Sequence, residues 1–328
     1  MARVSVVIPS WNGASLLPIA LRSLRAQTFT DFDVVVVDNG STDGTAALMH
    51  DSHPEARLVG FAENRGFAAA VNAGIAASDA PYVALLNNDA EAHPEWLRSL
   101  VRALDSHPDA GAAASRVLQR RDPTQIDSAG DTFGVLAYSI GHGDRDGPAY
   151  EAPAWVPSAC AAAALYRRTA LQDVGPFDEG YFAYLEDVDL GLRLLLRGWR
   201  TRYVPEAVTL HEGSVTASRI ADFKLRLLLR NSARLFIRCA PAGRLLLLGP
   251  ALAAWMLLRG IRELRPGLAA LALVDCVMSL PELLRERRAL WRGRRISRAA
   301  YRAMLAPPLR RWSPAHPPLL QPELGRAP

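Results

Sequence analysis

Three acids fall within four residues, Glu186, Asp187 and Asp189, where a helix over Leu190 to Arg197 is expected to start. They follow the aromatic-bearing run Phe177-Asp178-Glu179-Gly180-Tyr181-Phe182. Acids in a first helical turn ordinarily complement the helix dipole, and Asp189 can pair with Arg193 one turn on. That accounts for one or two of the three. Neighbouring carboxylates raise one another's pKa, and an apolar wall can hold one of them as a general base. Asn87-Asn88-Asp89 closes the apolar run Tyr82 to Leu86. It offers oxygen ligands to Mg²⁺ or Mn²⁺, although one carboxylate in three is also the make-up of a plain turn. His211 follows the strand-like Tyr203 to Leu210. It is read either as a structural histidine or as a nitrogen ligand for a borderline metal such as Mn²⁺.

These groups need a scaffold that brings them together. The first hundred residues alternate β-branched runs with helical patterns, which predicts βαβ units and a mostly parallel sheet. Strands are expected at Val4 to Ile8, Val34 to Val37 and Tyr82 to Leu86, with helices over Ala14 to Arg25 and from about Gly44. Ligands of such sheets bind beyond the carboxyl ends of the strands. Pro9, Ser10 and Asn12 lie at the first such end, Asp38 and Asn39 at the second, and Asn87, Asn88 and Asp89 at the third. A carboxylate such as Asp38 can accept from a nucleobase imide or a ribose hydroxyl, and is as readily a turn former. The segment Glu63 to Gly74 runs from a turn into a small-residue helix, with Asn64, Arg65 and Asn72 as its candidate ligand-binding side chains. A helix N-terminus attracts anions; close Ala packing explains the same composition.

Residues 105 to 155 read as irregular, with short strands around Phe133 to Ile140, and Ser158 to Ala164 as a small-residue strand leaving room for an acceptor. Beyond Glu212 the chain turns helical and basic. Residues 219 to 328 hold 21 Lys/Arg against 6 Asp/Glu, whereas the preceding part is net acidic. Arg226, Arg230, Arg234 and Arg238 recur every fourth residue beside apolar neighbours, the pattern of a basic amphipathic helix meeting an anionic membrane surface. Leu245 to Leu258 is shorter than the roughly 20 residues of a spanning helix and carries Gly249-Pro250 as an expected break, so attachment to the surface is expected, not passage. Two regions follow: a catalytic domain over 1–218 and a basic helical region over 219–328, with a loosely ordered Pro-rich end from Pro307. Cys160, Cys239 and Cys276 show no metal-ligand spacing and suit a reducing cytosol. The N-terminus reads as a first strand, with no secretory leader expected.

Taken in order, Ser5-Val6-Val7-Ile8-Pro9-Ser10-Trp11-Asn12-Gly13, Val37 to Gly44, Glu63-Asn64-Arg65-Gly66-Phe67, Leu86-Asn87-Asn88-Asp89 and Leu185 to Leu190 resemble the inverting glycosyltransferases of family 2. The likeness is to the rhamnosyltransferase-like and galactofuranosyltransferase-like branch. It implies a GT-A type α/β domain that binds a nucleotide-diphosphate sugar and transfers the sugar to a glycan or lipid-linked acceptor. By the same resemblance Pro9 and Asp38 would line the nucleotide pocket. Asn87 to Asp89 would occupy the metal-diphosphate motif, His211 would complete the metal shell, and Asp187 would be the base. The family more often carries an acid where this chain has Asn87. An inactive, membrane-associated homologue that binds the nucleotide sugar is the alternative, and intact Asp187, Asp189 and His211 argue against it. No nucleic-acid partner is expected. No G-x-G-x-x-G follows a strand, which excludes a dinucleotide oxidoreductase, and Pro9-Ser10-Trp11-Asn12 is not the phosphate loop of a nucleotidyltransferase. The expected location is the inner face of the cell membrane.

Overall fold

Strand β1 (Val4–Ser10) is buried at every position, as a β-branched strand covered on both faces must be. A computed structural model describes residues 2–213 and 221–306. In it β1 runs parallel to β2 (Phe32–Asp38), which is parallel in turn to β3 (Arg57–Gly60). On its other side β1 meets β4 (Tyr82–Leu86), again in parallel. Its register with β2 extends from Val4 opposite Phe32 to Ser10 opposite Asp38, whereas pairing with β4 stops at Val7 opposite Leu85. Pro9 has no amide hydrogen for a second neighbour, so the sheet opens on the β4 side. Strand order reverses at the same place, the position where open α/β sheets hold their ligands.

Helices α1 (Leu17–Arg25), α2 (Thr45–Ser52) and α3 (Phe67–Ala76) connect this half. Helix α3 approaches the sheet closely enough that a Cβ at Gly74 would lie 2.2 Å from Val7 Cγ1. After β4 come the short β5 (Ala90–Ala92), α4 (Trp96–Ser106), β6 (Ala110–Gln119) and β7 (Ile126–Ser128). Next are the hairpin of β8 (Asp131–Phe133) and β9 (Ala137–Ser139), then β10 (Ala154–Val156) and β11 (Ala163–Arg167). Helices α5 (Arg168–Val174) and α6 (Glu186–Leu196) precede β12 (Arg200–His211). The main sheet has the order β10-β12-β6-β11-β4-β1-β2-β3. β10 and β11 run against the other six, so the expected mostly parallel α/β sheet is present.

The expectation of an irregular 105–155 fails at β6, a ten-residue strand between β11 and β12. Its Ala-Gly-Ala-Ala-Ala sequence has poor strand propensity, and tertiary packing overrides it. A Cβ at Gly111 would come within 2.9 Å of Trp199 Cβ, a distance that asks for the missing side chain. The small-residue strand begins at Ala163, later than expected, and the preceding Ser158 to Ala162 is a connection beside the strand ends.

Among the described residues four helices follow: α7 (Ala221–Cys239), α8 (Ala242–Arg262), α9 (Pro266–Arg292) and α10 (Arg298–Met304). Leu229, Phe236 and Tyr301 belong to the same hydrophobic cluster as Val6, Leu86 and Leu192 of the sheet domain. The division placed at 218/219 and the Pro-rich end from Pro307 lie outside the described residues. Gly249-Pro250 does not break α8, which continues through Pro250 for 21 residues. A proline there forfeits one backbone hydrogen bond and costs about 3 kcal/mol; the apolar sequence on both sides carries the helix across it.

The arginine face of α7 also differs from expectation. Arg234 and Arg238 turn into the protein, where Arg238 meets Asp178, Asp189 at 3.0 Å and Glu286 at 3.1 Å, and Arg234 meets Asp178 at 3.0 Å. Arg226 pairs with Asp275 at 2.9 Å, and Arg230 donates to the carbonyls of Gly180 and Tyr181. These charges are matched internally, since an arginine packed against a protein face needs a carboxylate or carbonyl in place of water.

Candidate active site

The carboxyl ends of β1, β4 and β12 and the start of α6 surround a cavity of about 570 Å³. Its lining residues include a first group, Pro9, Ser10, Asn39 and Asn64, a second, Asn87, Asn88, Asp89 and His211, and a third, Glu186 and Asp187.

The first group is tied by side-chain amides. Asn39 donates to Asn64 Oδ1 at 3.0 Å and to the Gly66 carbonyl at 3.1 Å, and its Oδ1 accepts from the Arg65 amide at 2.9 Å. Asn88 donates to Ser10 Oγ at 3.0 Å, against Gly13, where a Cβ would lie 2.2 Å from Asn88 Nδ2. Asp38 is buried and accepts from the Ser41 amide at 3.0 Å, closing the turn. Asn12 accepts from the Thr42 amide at 2.8 Å.

In the second group, His211 Nε2 lies 3.2 Å from Asp89 Oδ1 and 3.4 Å from Asn87 Nδ2. Its Nδ1 is 2.7 Å from Asp127 Oδ2 on β7. Burial alone would lower the His211 pKa, but the hydrogen bonds to Asp127 and Asp89 outweigh it and push it up to about 10. Asn87 Oδ1 is buried with no partner. The orphaned Asn87 amide oxygen, the Asp89 carboxylate and the imidazole of His211, which touches both side chains, are donor types suited to Mg²⁺ or Mn²⁺.

Asp187 stands at the first turn of α6. Its Oδ2 accepts from the Ala161 amide at 3.0 Å and its Oδ1 from the Val188 amide at 2.8 Å. Burial raises its pKa, and these amides oppose the rise. Glu186, buried with Oε2 unpartnered, is raised well above the usual range by burial and by Asp187. Asp131 on β8 is likewise raised, by burial and then by Asp187. Asp131, Cys160 and Asp187 place their ligand-type atoms within 4.8 Å of one another. Two carboxylates at this separation hold one proton more firmly than either alone.

The approach to α6 is strained. Phe182, Tyr184 and Leu185 have φ of 65°, 71° and 72°, which L-residues adopt at a cost of order 1–3 kcal/mol each. Asn231 on α7, fully buried, holds this loop by donating to the carbonyls of Tyr181 at 3.0 Å and of Ala183 and Tyr184 at 2.8 Å. Gly66, at φ 91°, faces the same loop; a Cβ there would lie 2.5 Å from the Phe182 carbonyl.

Sequence reading and structure diverge at several residues. Asp189 does not join Asp187: it is fully buried, bonded to Arg193 at 2.7 Å and paired with Arg238. Its four-residue spacing from Arg193 gives a helix ion pair, and the helical turn carries it away from the cavity. Asn72 bridges to the backbone of Phe177, donating at 2.9 Å and accepting at 3.0 Å, and does not line the cavity. Arg65 sits 4.8 Å over the Phe61 ring and pairs with Glu179. Asn12 and Asp38 serve the turn beside the cavity and are not among its lining residues. Asp127, Asp131 and Asn231 were missed. The run Asp127-Ser128-Ala129-Gly130-Asp131, two acids around a glycine, was the available signal for the first two.

The sequence profile of glycosyl transferase family 2 matches residues 5–175. An N-acetylglucosaminyl-diphospho-decaprenol L-rhamnosyltransferase of Mycobacterium tuberculosis is 33% identical over 243 residues, 65% of this chain and 77% of that protein. A pre-mycofactocin glycosyltransferase of the same organism is 32% identical over 306 residues, covering 90% of this chain and 57% of the relative. Among solved structures, the mannosyltransferase PcManGT from Pyrobaculum calidifontis, in complex with GDP-Man and Mn²⁺, superposes with a TM-score of 0.55 at 22% identity, over 92% of this chain and 83% of that one. With a GT-A type sheet opening at Pro9 and a cavity at that opening, the chain belongs to glycosyltransferase family 2 and is a glycosyltransferase.

Proposed function

We propose that the chain transfers a sugar, rhamnose being the first choice, from a nucleotide-diphosphate donor to a hydroxyl of a lipid-linked or glycan acceptor, with inversion at the anomeric carbon. The observation that carries this reading is that Asp187 and the Asp89–His211 pair line one and the same cavity. The donor enters at the β1–β4 opening, oriented by Ser10, Asn39, Asn64 and Asn88. Asp89, His211 and the Asn87 side-chain amide oxygen would hold a divalent cation, which would supply positive charge to the diphosphate as it leaves. Asp187 accepts the proton of the acceptor hydroxyl as that oxygen attacks the anomeric carbon in line with the departing diphosphate. The amides of Ala161 and Val188 hold the carboxylate in one orientation for that transfer. Rhamnose and a lipid-linked acceptor are favoured by the mycobacterial relative, whose name carries both.

The site works at a membrane surface on the cytoplasmic side in this reading. Helices α8 and α9 are long and apolar enough to cross a membrane, and their apolar stretches are mostly uncovered by protein. Leu247 is 80% exposed and Met278 78%. Lying flat, such a hairpin buries this face among lipid chains.

The test is Asp187→Asn with a panel of nucleotide sugars followed by mass spectrometry. General-base assistance contributes about 10² to 10⁴ in rate, so turnover falls by that factor while donor affinity is kept. A variant that retained more than about a tenth of the activity would remove Asp187 from its role.

A further inference from the structure

A second cavity, of about 440 Å³, lies between the start of α8, the later part of α9 and α10, and shares no lining residue with the first. Arg287, Arg288, Arg298 and Arg302 line it, together with Trp291 and the opening residues Ala242 and Gly243 of α8. Arg287 has one structural duty there: with Trp291 it donates to backbone carbonyls at the end of α7, including that of Arg238 at 3.2 and 3.0 Å respectively. Arg302 donates to the Arg298 carbonyl at 3.2 Å, a bond internal to α10. Among the described residues none of the four is paired with a carboxylate, in contrast to Arg226, Arg234 and Arg238 close by. Four guanidinium groups around one hollow repel each other, and the arrangement is relieved by an anion. The α8 N-terminus adds amides that no side chain caps. It brings the positive end of a 21-residue helix to the same hollow.

We infer that this cavity binds a phosphate group. Guanidinium forks and free helix amides match phosphate oxygens in geometry and charge. The surroundings favour a phosphate carried by an anionic lipid: Leu246 and Leu247, 79% and 80% exposed, follow within the first turns of α8. The hollow thus lies where headgroups meet the apolar hairpin. This source, though not the phosphate chemistry, rests on the membrane-surface reading above.

The full-length chain, the double variant Arg298→Ala/Arg302→Ala and the control Arg262→Ala/Arg285→Ala are compared by flotation with phosphatidylcholine vesicles and with vesicles containing phosphatidylglycerol. Thermal melting is followed with inorganic phosphate. Two arginines at a charged surface are worth about thirtyfold in partitioning, so the cavity variant loses about that factor on anionic vesicles and the control loses much less. Failure of the wild type to float, with phosphate raising its melting temperature in a way the cavity variant abolishes, keeps the phosphate site, assigns it a soluble source and overturns the membrane reading. Equal behaviour of cavity variant and wild type in both assays overturns the site; wild-type flotation would then leave the membrane reading intact. Arg298 and Arg302 are exposed, and an unchanged melting temperature without phosphate verifies that the variant is folded.

Discussion

Asp127 Oδ2 lies 2.7 Å from Nδ1 of His211, on the side of the imidazole away from Asp89. A carboxylate there makes Nδ1 the donor and leaves the Nε2 lone pair for a cation, the arrangement that fixes metal-binding histidines elsewhere. Asp127→Asn keeps the size of the side chain but no longer selects the tautomer. Mn²⁺ affinity, read by electron paramagnetic resonance on protein without donor, is expected to weaken by about 10- to 100-fold. Unchanged affinity would reduce Asp127 to a packing residue.

The same pair sets a pH dependence. In the absence of a cation the His211 pKa is pushed up to about 10, so the imidazole is a cation at neutral pH. A metal must displace the Nε2 proton, and proton release ties affinity to pH. Apparent Mn²⁺ affinity should rise by about tenfold per pH unit from 7 to 9. Calorimetry in buffers of different ionisation enthalpy should show about one proton released. His211→Ala should flatten this dependence; a flat wild-type profile would place the cation elsewhere.

Helix α7 positions the loop before Asp187 through Asn231. With Asn231→Ala the carbonyls of Tyr181, Ala183 and Tyr184 lose their common donor, and the strained loop before Asp187 is free to relax. A displacement of about 1 Å at a reacting group can cost about 100-fold in rate. The expected result is a kcat lowered by about that factor with donor Kd nearly unchanged, since the amide cluster around Asn39 is untouched. A parallel loss of donor binding would mean that the loop shapes the whole cavity and not the base alone.

The strand ends were legible in the sequence because β-branched runs stop abruptly at Pro9, Asp38 and Asn87, and each stop carries polar residues to one edge of the sheet. Asp187, which lines the cavity, stood out in the sequence because it sits among more acids than a helix start needs. Asp131 and Asp127 were not, since Ala-rich β6 hides the strand that positions β7, and propensity says nothing of packing. Asp189 misled for a related reason: adjacency in sequence is not adjacency on a helix, where the next residue but one points across the axis. The arginines of α7 share one periodicity whether they face headgroups or Asp178 and Glu286, and only the fold distinguishes the two.

Glu186 gives a stability prediction with a definite sign. Burial, then Asp187, holds its pKa well above the ordinary 4.5 in the folded chain, so the folded state keeps a proton that the unfolded state releases. The unfolded chain binds fewer protons in the window from about pH 4.5 upward, and stability falls there as pH rises toward the folded pKa. Below the unfolded pKa both states are protonated and the penalty is absent. Glu186→Gln carries no such proton and nearly the same shape. Its melting temperature should exceed that of the wild type at pH 8 by a few degrees, on the scale of about 2–4 °C per kcal/mol for a chain of this size, and the gap should narrow toward pH 5. A gap that stayed constant with pH would mean that Glu186 ionises freely where it stands and that its unpartnered Oε2 costs the fold nothing.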